Sequence, residues 1–368
     1  MSKKQKTITE RVGSPFVTFV NHSRVFDKLE GPHTFGKSPS FWAAFIIVVV
    51  MAFTYPLTTT TYSVLQTTSI LSFVFLSISL SIIWGYTGIF SFGQTAFFGL
   101  GGYTFGVVGI NLVETTGATT TALIAALVVP ALFSAILGYF MFYGRVTGVF
   151  VGIITLAVTL ILSLLFARTA GDQYTIGEAA LGGYNGMTGI PEIRLGGGPL
   201  VIEVDTIGMY YFIIILIFGI YLGARYVLQS DYGYAMVAIR EAEERTEMFG
   251  YNTQLIKVQV FTVAGAIAGL GGALYASNGS FISPPIMGLA FAALPVIWVT
   301  VGGREALVGA ILATIGLRWF QNSLASAGSR YATIVLGGGL LVAILLIPDG
   351  VVPTVVRKLN EYKSKGET

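Results

Sequence analysis

Cysteine does not occur in this chain, and histidine occurs only as His22 and His33. Without a thiol there is no disulfide framework, no Cys-ligated metal site and no thiol nucleophile. With both histidines near the start, a multi-histidine metal site or a histidine-based catalytic dyad within the remainder is excluded too. Charge is the next scarcity: Asp, Glu, Lys and Arg make up 11% of the 368 residues, against roughly 25% in a soluble globular chain. What fills the space is apolar. Hydrophobic residues account for 54% of the chain, in segments at 41–55, 66–84, 96–112, 121–142, 148–167, 207–228, 258–277, 289–301, 306–322 and 332–347. These read as about ten transmembrane helices, several shorter than the roughly 20 residues a straight span needs. The expected fold is an all-α polytopic membrane protein. Short segments such as 289–301 and 96–112 lie beside glycines (Gly302 and Gly303; Gly85, Gly88 and Gly93), the pattern of broken helices.

Charge placement orients the spans. Residues 1–40 hold Lys3, Lys4, Lys6, Arg11, Arg24, Lys28 and Lys37 against Glu10, Asp27 and Glu30. They are too polar for a cleavable signal peptide and read as a cytoplasmic N-terminal tail. Within them Gly31–Ser38, GPHTFGKS, matches G-x-x-x-x-G-K-S. A phosphate loop needs a preceding buried strand and a following helix inside an α/β core. VFDKLE and an apolar span flank it instead, so the match is read as coincidental and the chain as carrying no ATPase site. Ten spans return the C-terminus to the cytoplasm, where 349–368 forms a second basic tail. The transmembrane body is 41–348, with an acidic external loop at 168–206 and a charged cytoplasmic segment at 230–257.

That segment, SDYGYAMVAIREAEERTEMFGYNTQLIK, stands out in an otherwise apolar chain. Asp231 is placed to cap a helix and Gly250 to stop one. Arg240 with Glu244, and Glu241 with Arg245, have i,i+4 spacing. Met236, Val237, Ile239, Met248 and Phe249 are apolar, on a helix too short and too charged for lipid. Two readings stand: a solvated loop helix, or a docking helix that offers apolar knobs to a soluble partner. Elsewhere, small residues at helical spacing (Gly102/Gly106, Gly148/Gly152, Gly219/Gly223, Gly265/Gly269) read as close helix packing. The strings LGGY at 100–103 and LGGA at 270–273 are a weak sign of an internal repeat. Arg304, Glu305 and Arg318 are the main ionisable candidates near membrane depth. Arg304 is expected to be held by helix-end carbonyls or a carboxylate, or else to emerge at the interface.

Three stretches together resemble one family: WGYTGIFSFGQTAFFGLGGYTFG at 84–106, YGYAMVAIREAEERTEMFGYNTQLIKVQVFTVAGAIAGLGGALYA at 232–276, and WVTVGGREALVGAILAT at 298–314. They are similar to the permeases of branched-chain amino acid, amide and urea ABC importers, the LivM/LivH type. The middle stretch is the most specific, with its Ala-Ile-Arg-Glu core at 238–241, Lys257 and the run AGLGGALYA at 268–276. The resemblance implies that this stretch docks on an ATPase subunit, through Met236, Ile239, Arg240, Glu241, Glu244, Met248, Phe249 and Gly250. It also implies a second related permease subunit, two cytoplasmic ATPases that use ATP-Mg, an external substrate-binding protein, and a place in a prokaryotic plasma membrane. No cofactor, metal, catalytic residue or nucleic acid is expected on this chain. The family's first stretch usually reads like GYTGQISLGHAAF; here Ile89, Phe92 and Gln94 replace its Gln, Leu and His. Glu244, Arg245 and Thr246 stand where small residues are more usual. These departures bear on the substrate, for which branched-chain or other apolar amino acids rank first and urea or short amides second.

Given such a permease, the stretch from Gly85 to Gly102 offers bendable backbone and neutral hydrogen-bonding groups. Tyr86, Thr87, Ser91, Gln94 and Thr95 are therefore candidates for the substrate path; the plainer alternative is that these groups satisfy helix backbone. A secondary transporter with broken helices is the rival, weakened by the near absence of ionisable groups inside the spans. A membrane enzyme lacks a convergent acid, base or nucleophile set.

Overall fold

The computed structural model describes residues 39–171, 173–197, 200–326 and Thr354. The Gly31–Ser38 match, nearly all of both tails and the expected span 332–347 lie outside the described residues. Within them the chain is a helical bundle, and seven helices are long and apolar enough to cross a membrane. In order they are α1 (Pro39–Thr58), α2 (Thr61–Ser72) running on through α3 (Val74–Leu80) into a π-helical turn (Ser81–Tyr86), α4 (Gln94–Thr116), α5 (Thr120–Tyr143), α6 (Val149–Ala167), α7 (Thr206–Gln229) and α9 (Thr253–Gly279). Between α7 and α9 lies α8 (Asp231–Met248), the charged segment. The shorter apolar α10 (Leu289–Gly302) and then α11 (Leu307–Ser326) follow.

Apolar runs decide where helices form, and local side chains decide where they begin. Asp205 accepts the Gly208 N–H at 2.8 Å and Asn252 accepts the Leu255 N–H at 2.9 Å, which start α7 and α9 with satisfied donors. Asp231 does not cap α8, against the expectation from its place in the sequence. Ser230 holds the cap position, and its hydroxyl donates to the Val227 carbonyl at 2.6 Å, tying α8 to the end of α7.

The interruptions fall elsewhere than the glycine pattern implies. α4 is an unbroken helix of 23 residues. The preceding span is the irregular one: its ladder is interrupted at Phe73 and widens to π geometry at Ser81–Tyr86. π turns of this kind are frequent at functional sites.

The core lies where α3, α4, α5 and α9 meet, around Phe75, Leu76, Phe97, Phe105 and Phe261, all fully buried. Glycine lets α4 and α9 touch backbone to backbone. A Cβ on Gly101 would strike the Gly269 carbonyl, and one on Gly272 the Phe98 carbonyl. The strings LGGY and LGGA therefore face each other at the centre of the bundle. Gly265 and Gly269 pack in the same way on Ser134 and Pro130, whereas Gly219 and Gly223 face open space within this chain. Their spacing does not mark a contact among the described residues.

Two ends can be told apart. At one, the 168–205 segment folds as short hairpins, β1 (Thr175–Ile176) with β2 (Ala179–Ala180) and β4 (Arg194–Gly197) with β5 (Leu200–Glu203). Its β3 (Met187–Thr188) pairs antiparallel with β6 (Phe281–Ile282), just beyond α9. At the other end the turn after α5 approaches α8, where Arg145 lies 4.0 Å from Glu247.

Candidate functional site

The charged segment is not a single continuous helix. Ala242 adopts extended backbone (φ −159°, ψ 80°) and splits α8 into 231–241 and 243–248. The break removes the i,i+4 register expected for Arg240 with Glu244 and Glu241 with Arg245. Arg240 instead bridges Glu241, at 2.7 Å, and Glu305, at 3.0 Å.

The two halves do different things. In the first, Met236, Val237 and Ile239 are buried against the bundle; Met236 lines a groove with Ile82, Leu228 and Val260. These three hold the segment in place and present nothing outward. In the second half Met248 and Phe249 are 85% and 84% exposed, at a tip where Gly250, at φ +89°, turns the chain back toward α9. Glu241 and Glu244 are exposed as well. Beside the tip opens a polar cleft of about 480 Å³, lined by Arg145, Glu243, Arg245, Glu247, Gln254 and Lys257 among others. Its charges are ordered. Lys257, almost fully buried, pairs with Glu243 and lies 5.7 Å from the Phe142 ring centre. The Thr253 hydroxyl and Gln254 amide donate to Glu247 and, with Arg145 and Lys257 nearby, hold its carboxyl below the usual carboxylate value.

Arg240 joins the segment to the membrane bundle. Its Nη1 donates to the carbonyl of Gly85, in the π turn, as well as to Glu305. Gly88 lies under the same side chain, at φ +74°, and a Cβ there would come within 3.0 Å of the Arg240 Cγ; a glycine suits both demands. The turn between α10 and α11 closes the knot. Ser81 donates to the Arg304 carbonyl, and Tyr86 to the Glu305 carbonyl, each at 3.0 Å. A Cβ on Gly85 would strike that same Arg304 carbonyl. The Arg304 side chain is 58% exposed, with Nε 3.7 Å from the Glu305 carboxylate.

The five path candidates are all buried. Tyr86 reaches Glu305, Thr87 donates to the Ile83 carbonyl, Ser91 accepts the Gly93 N–H at 3.0 Å and Thr95 lies 3.5 Å from the Phe92 carbonyl. Gln94 contacts the Ser79 hydroxyl, which also reaches the Ala264 carbonyl at 2.8 Å. One hydroxyl hydrogen cannot serve both acceptors. Turning the Gln94 amide over lets its NH₂ donate to Ser79 while Ser79 donates to Ala264, and it also gives a partner to a buried amide nitrogen that otherwise has none among the described residues.

The sequence pattern does not single out Arg225. It is 2% exposed on α7, bonded to the Tyr221 hydroxyl at 2.9 Å, with its guanidinium 5.2 and 5.0 Å from the rings of Phe41 and Trp42 on α1. The aromatic pair opening the first span is the available signal, because a cation on a facing span favours such rings.

A family model described as "Branched-chain amino acid transport system / permease component" matches residues 62–345, from α2 through the α8 segment to beyond α11. The chain belongs to this family. It is accordingly a multi-pass membrane protein of the ABC permease type. Over 143 residues it is 31% identical to the high-affinity branched-chain amino acid transport system permease protein LivM of Escherichia coli (strain K12), and 30% identical to the LivM protein of Salmonella typhimurium (strain LT2). Each match covers 38% of this chain and 33% of the relative, so the chain spans about a third of the length of these curated relatives. No solved structure matches.

Proposed function

We propose that this chain is a transmembrane permease subunit of an ABC importer for branched-chain or other apolar amino acids, working by alternating access driven by separate ATPases. The observation that carries the reading is the α8 segment. It offers two large apolar side chains and a charged cleft outward, and it is tied through Arg240 to the π turn of a central span. In this reading the α8 end faces the cytoplasm, where an ATPase docks on Met248 and Phe249. The hairpin end faces an external binding protein, and a second related permease completes the membrane part. ATP-Mg is bound by the partners, and this chain contributes no catalytic group. A secondary transporter fits less well, because it leaves the exposed tip without a role.

The test is reconstitution. The chain co-expressed with candidate ATPase, permease and binding-protein subunits is expected to purify with them as one complex. In proteoliposomes that complex is expected to take up leucine or valine only with ATP and the binding protein. Uptake driven by an ion gradient without ATP would sink the proposal.

The path through Tyr86, Thr87, Ser91, Gln94 and Thr95 belongs to the same proposal. All five are closed off in this conformation, so the passage there requires a second conformation in which the 87–93 connection moves. Cysteines placed singly at Ser91, Gln94 and Thr95 are expected to react with a membrane-impermeant thiol reagent in one nucleotide state and to be protected in another. The native chain has no cysteine, so the background is clean. Three sites unreactive in every state would make the stretch packing alone.

A further inference from the structure

Arg318 lies 11 residues past the start of the 20-residue α11, about 16 Å along it. That is close to half the roughly 30 Å thickness of a bilayer's hydrocarbon core, the depth at which an isolated cation is least tolerated. Its guanidinium carbon stands 4.1 Å from the centre of the Phe73 ring, the residue at which the α2–α3 ladder is interrupted. Nη1 donates to Gln321 at 3.1 Å. Nε is buried and has no hydrogen-bond partner among the described residues. None of the ion pairs among the described residues involves Arg318, and the sequence has no Asp or Glu from 306 to 348. Near the middle of α11 the chain therefore holds a cation against Phe73, at the middle of the Thr61–Tyr86 span, with a donor unfilled among the described residues and no carboxylate on its own or the following stretch.

The surroundings supply the other half of a binding site. Phe73 packs on Tyr275, with ring centres 5.0 Å apart, and Tyr275 is partly exposed. One helical turn beyond each of these rings, Asn278 donates to the Ser69 hydroxyl at 2.7 Å, and Ser69 is also partly exposed. A neutral polar pair, the partly exposed Tyr275 ring and a guanidinium thus lie around Phe73, which is itself 1% exposed. Guanidinium N–H groups match the two oxygens of a carboxylate, and the Tyr275 ring suits an apolar side chain.

We propose that Arg318 binds the carboxylate of an apolar α-amino acid within the membrane part of the permease, with the partly exposed Tyr275 against its side chain. The assignment rests on the amino acid reading given above and adds the group that recognises the substrate within the membrane. Phe73 also stacks on Phe98, at 5.6 Å, one turn from Gln94, so the site lies above the proposed path through Gln94 and Thr95.

The experiment uses the reconstituted complex with Arg318→Gln and Arg318→Lys, and measures ATP-driven leucine uptake, ATP hydrolysis and complex integrity by gel filtration. Arg318→Gln is expected to lower maximal uptake about 10- to 100-fold, the range for losing hydrogen bonds to a charged group. The binding-protein concentration for half-maximal uptake should stay unchanged, and so should the assembled complex. Arg318→Lys keeps the charge without the guanidinium fork and should fall between Arg318→Gln and wild type. Wild-type uptake by an intact Arg318→Gln complex overturns the carboxylate role. So does a result in which Arg318→Gln falls apart while Arg318→Lys assembles and transports as wild type, which marks a cation that pairs with a neighbouring subunit. A wild-type complex that moves no amino acid overturns the importer reading itself.

Discussion

Replacing both Met248 and Phe249 with Asp is expected to abolish ATP-driven uptake while leaving the permease inserted and extractable as in wild type. The two side chains are 85% and 84% exposed, so the chain's own packing does not depend on them. Burying side chains of this size in a partner contributes about 1.5–3 kcal/mol each, and carboxylates in their place add a desolvation penalty. A combined loss of about 3–6 kcal/mol corresponds to more than a 100-fold loss of affinity. Pull-down of the ATPase and leucine uptake in proteoliposomes measure it. A matched control separates docking from folding. Met236 is 1% exposed and Ile239 3% exposed against the bundle, so Asp at either should lower yield and thermal stability of the permease alone. Full uptake by the Met248/Phe249 double variant would remove the tip from the docking surface.

The apolar runs make the order of the seven span-capable helices legible, because a bilayer demands roughly 20 apolar residues from each helix whatever its neighbours are; the reading of about ten also counts the short α10, the less apolar α11 and a stretch outside the described residues. The exposed pair Met248 and Phe249 is legible for a related reason: large apolar residues in a charged stretch need a cover that the stretch does not supply. Their companions Met236 and Ile239 are not, since which face of a short helix turns inward is set by packing on α7, α9 and the π turn. The breaks at Phe73 and Ala242 carry no glycine or proline, so no local signal marks them. Glycine at 85 and 88 reads, from sequence, as bendable backbone. In the fold these glycines make room for the Arg304 carbonyl and the Arg240 side chain, contacts that span more than 150 residues of sequence. Local pattern has no access to such pairings, and the path candidates are buried for the same reason.

That long-range contact carries the other large expected effect. Arg240→Ala should uncouple ATP hydrolysis from uptake, lowering leucine transport about 10- to 100-fold while ATPase binding persists. The Arg240 side chain is 17% exposed and donates to the Gly85 carbonyl and to Glu305. Glu305 is 51% exposed, so that ion pair alone contributes about 1 kcal/mol or less. The bond to the Gly85 carbonyl, in the π turn, contributes more, because a charged donor to a buried acceptor stabilises by about 1.5–3 kcal/mol. Without Arg240 the first half of α8 keeps its apolar seat through Met236 and Ile239 but loses its polar tie to the span. Movement imposed at the tip then no longer reaches the π turn or the α10–α11 connection. A double-mutant cycle with Glu305→Gln separates the Glu305 contact from those to the Gly85 carbonyl and to Glu241, itself exposed. Arg240→Ala should be severe with or without Glu305, whereas Glu305→Gln alone should be mild. Equal effects from the two single substitutions, with no further loss in the double variant, would place the coupling in the ion pair and not in the Gly85 contact. Wild-type uptake by Arg240→Ala would show that α8 moves the bundle by apolar packing alone.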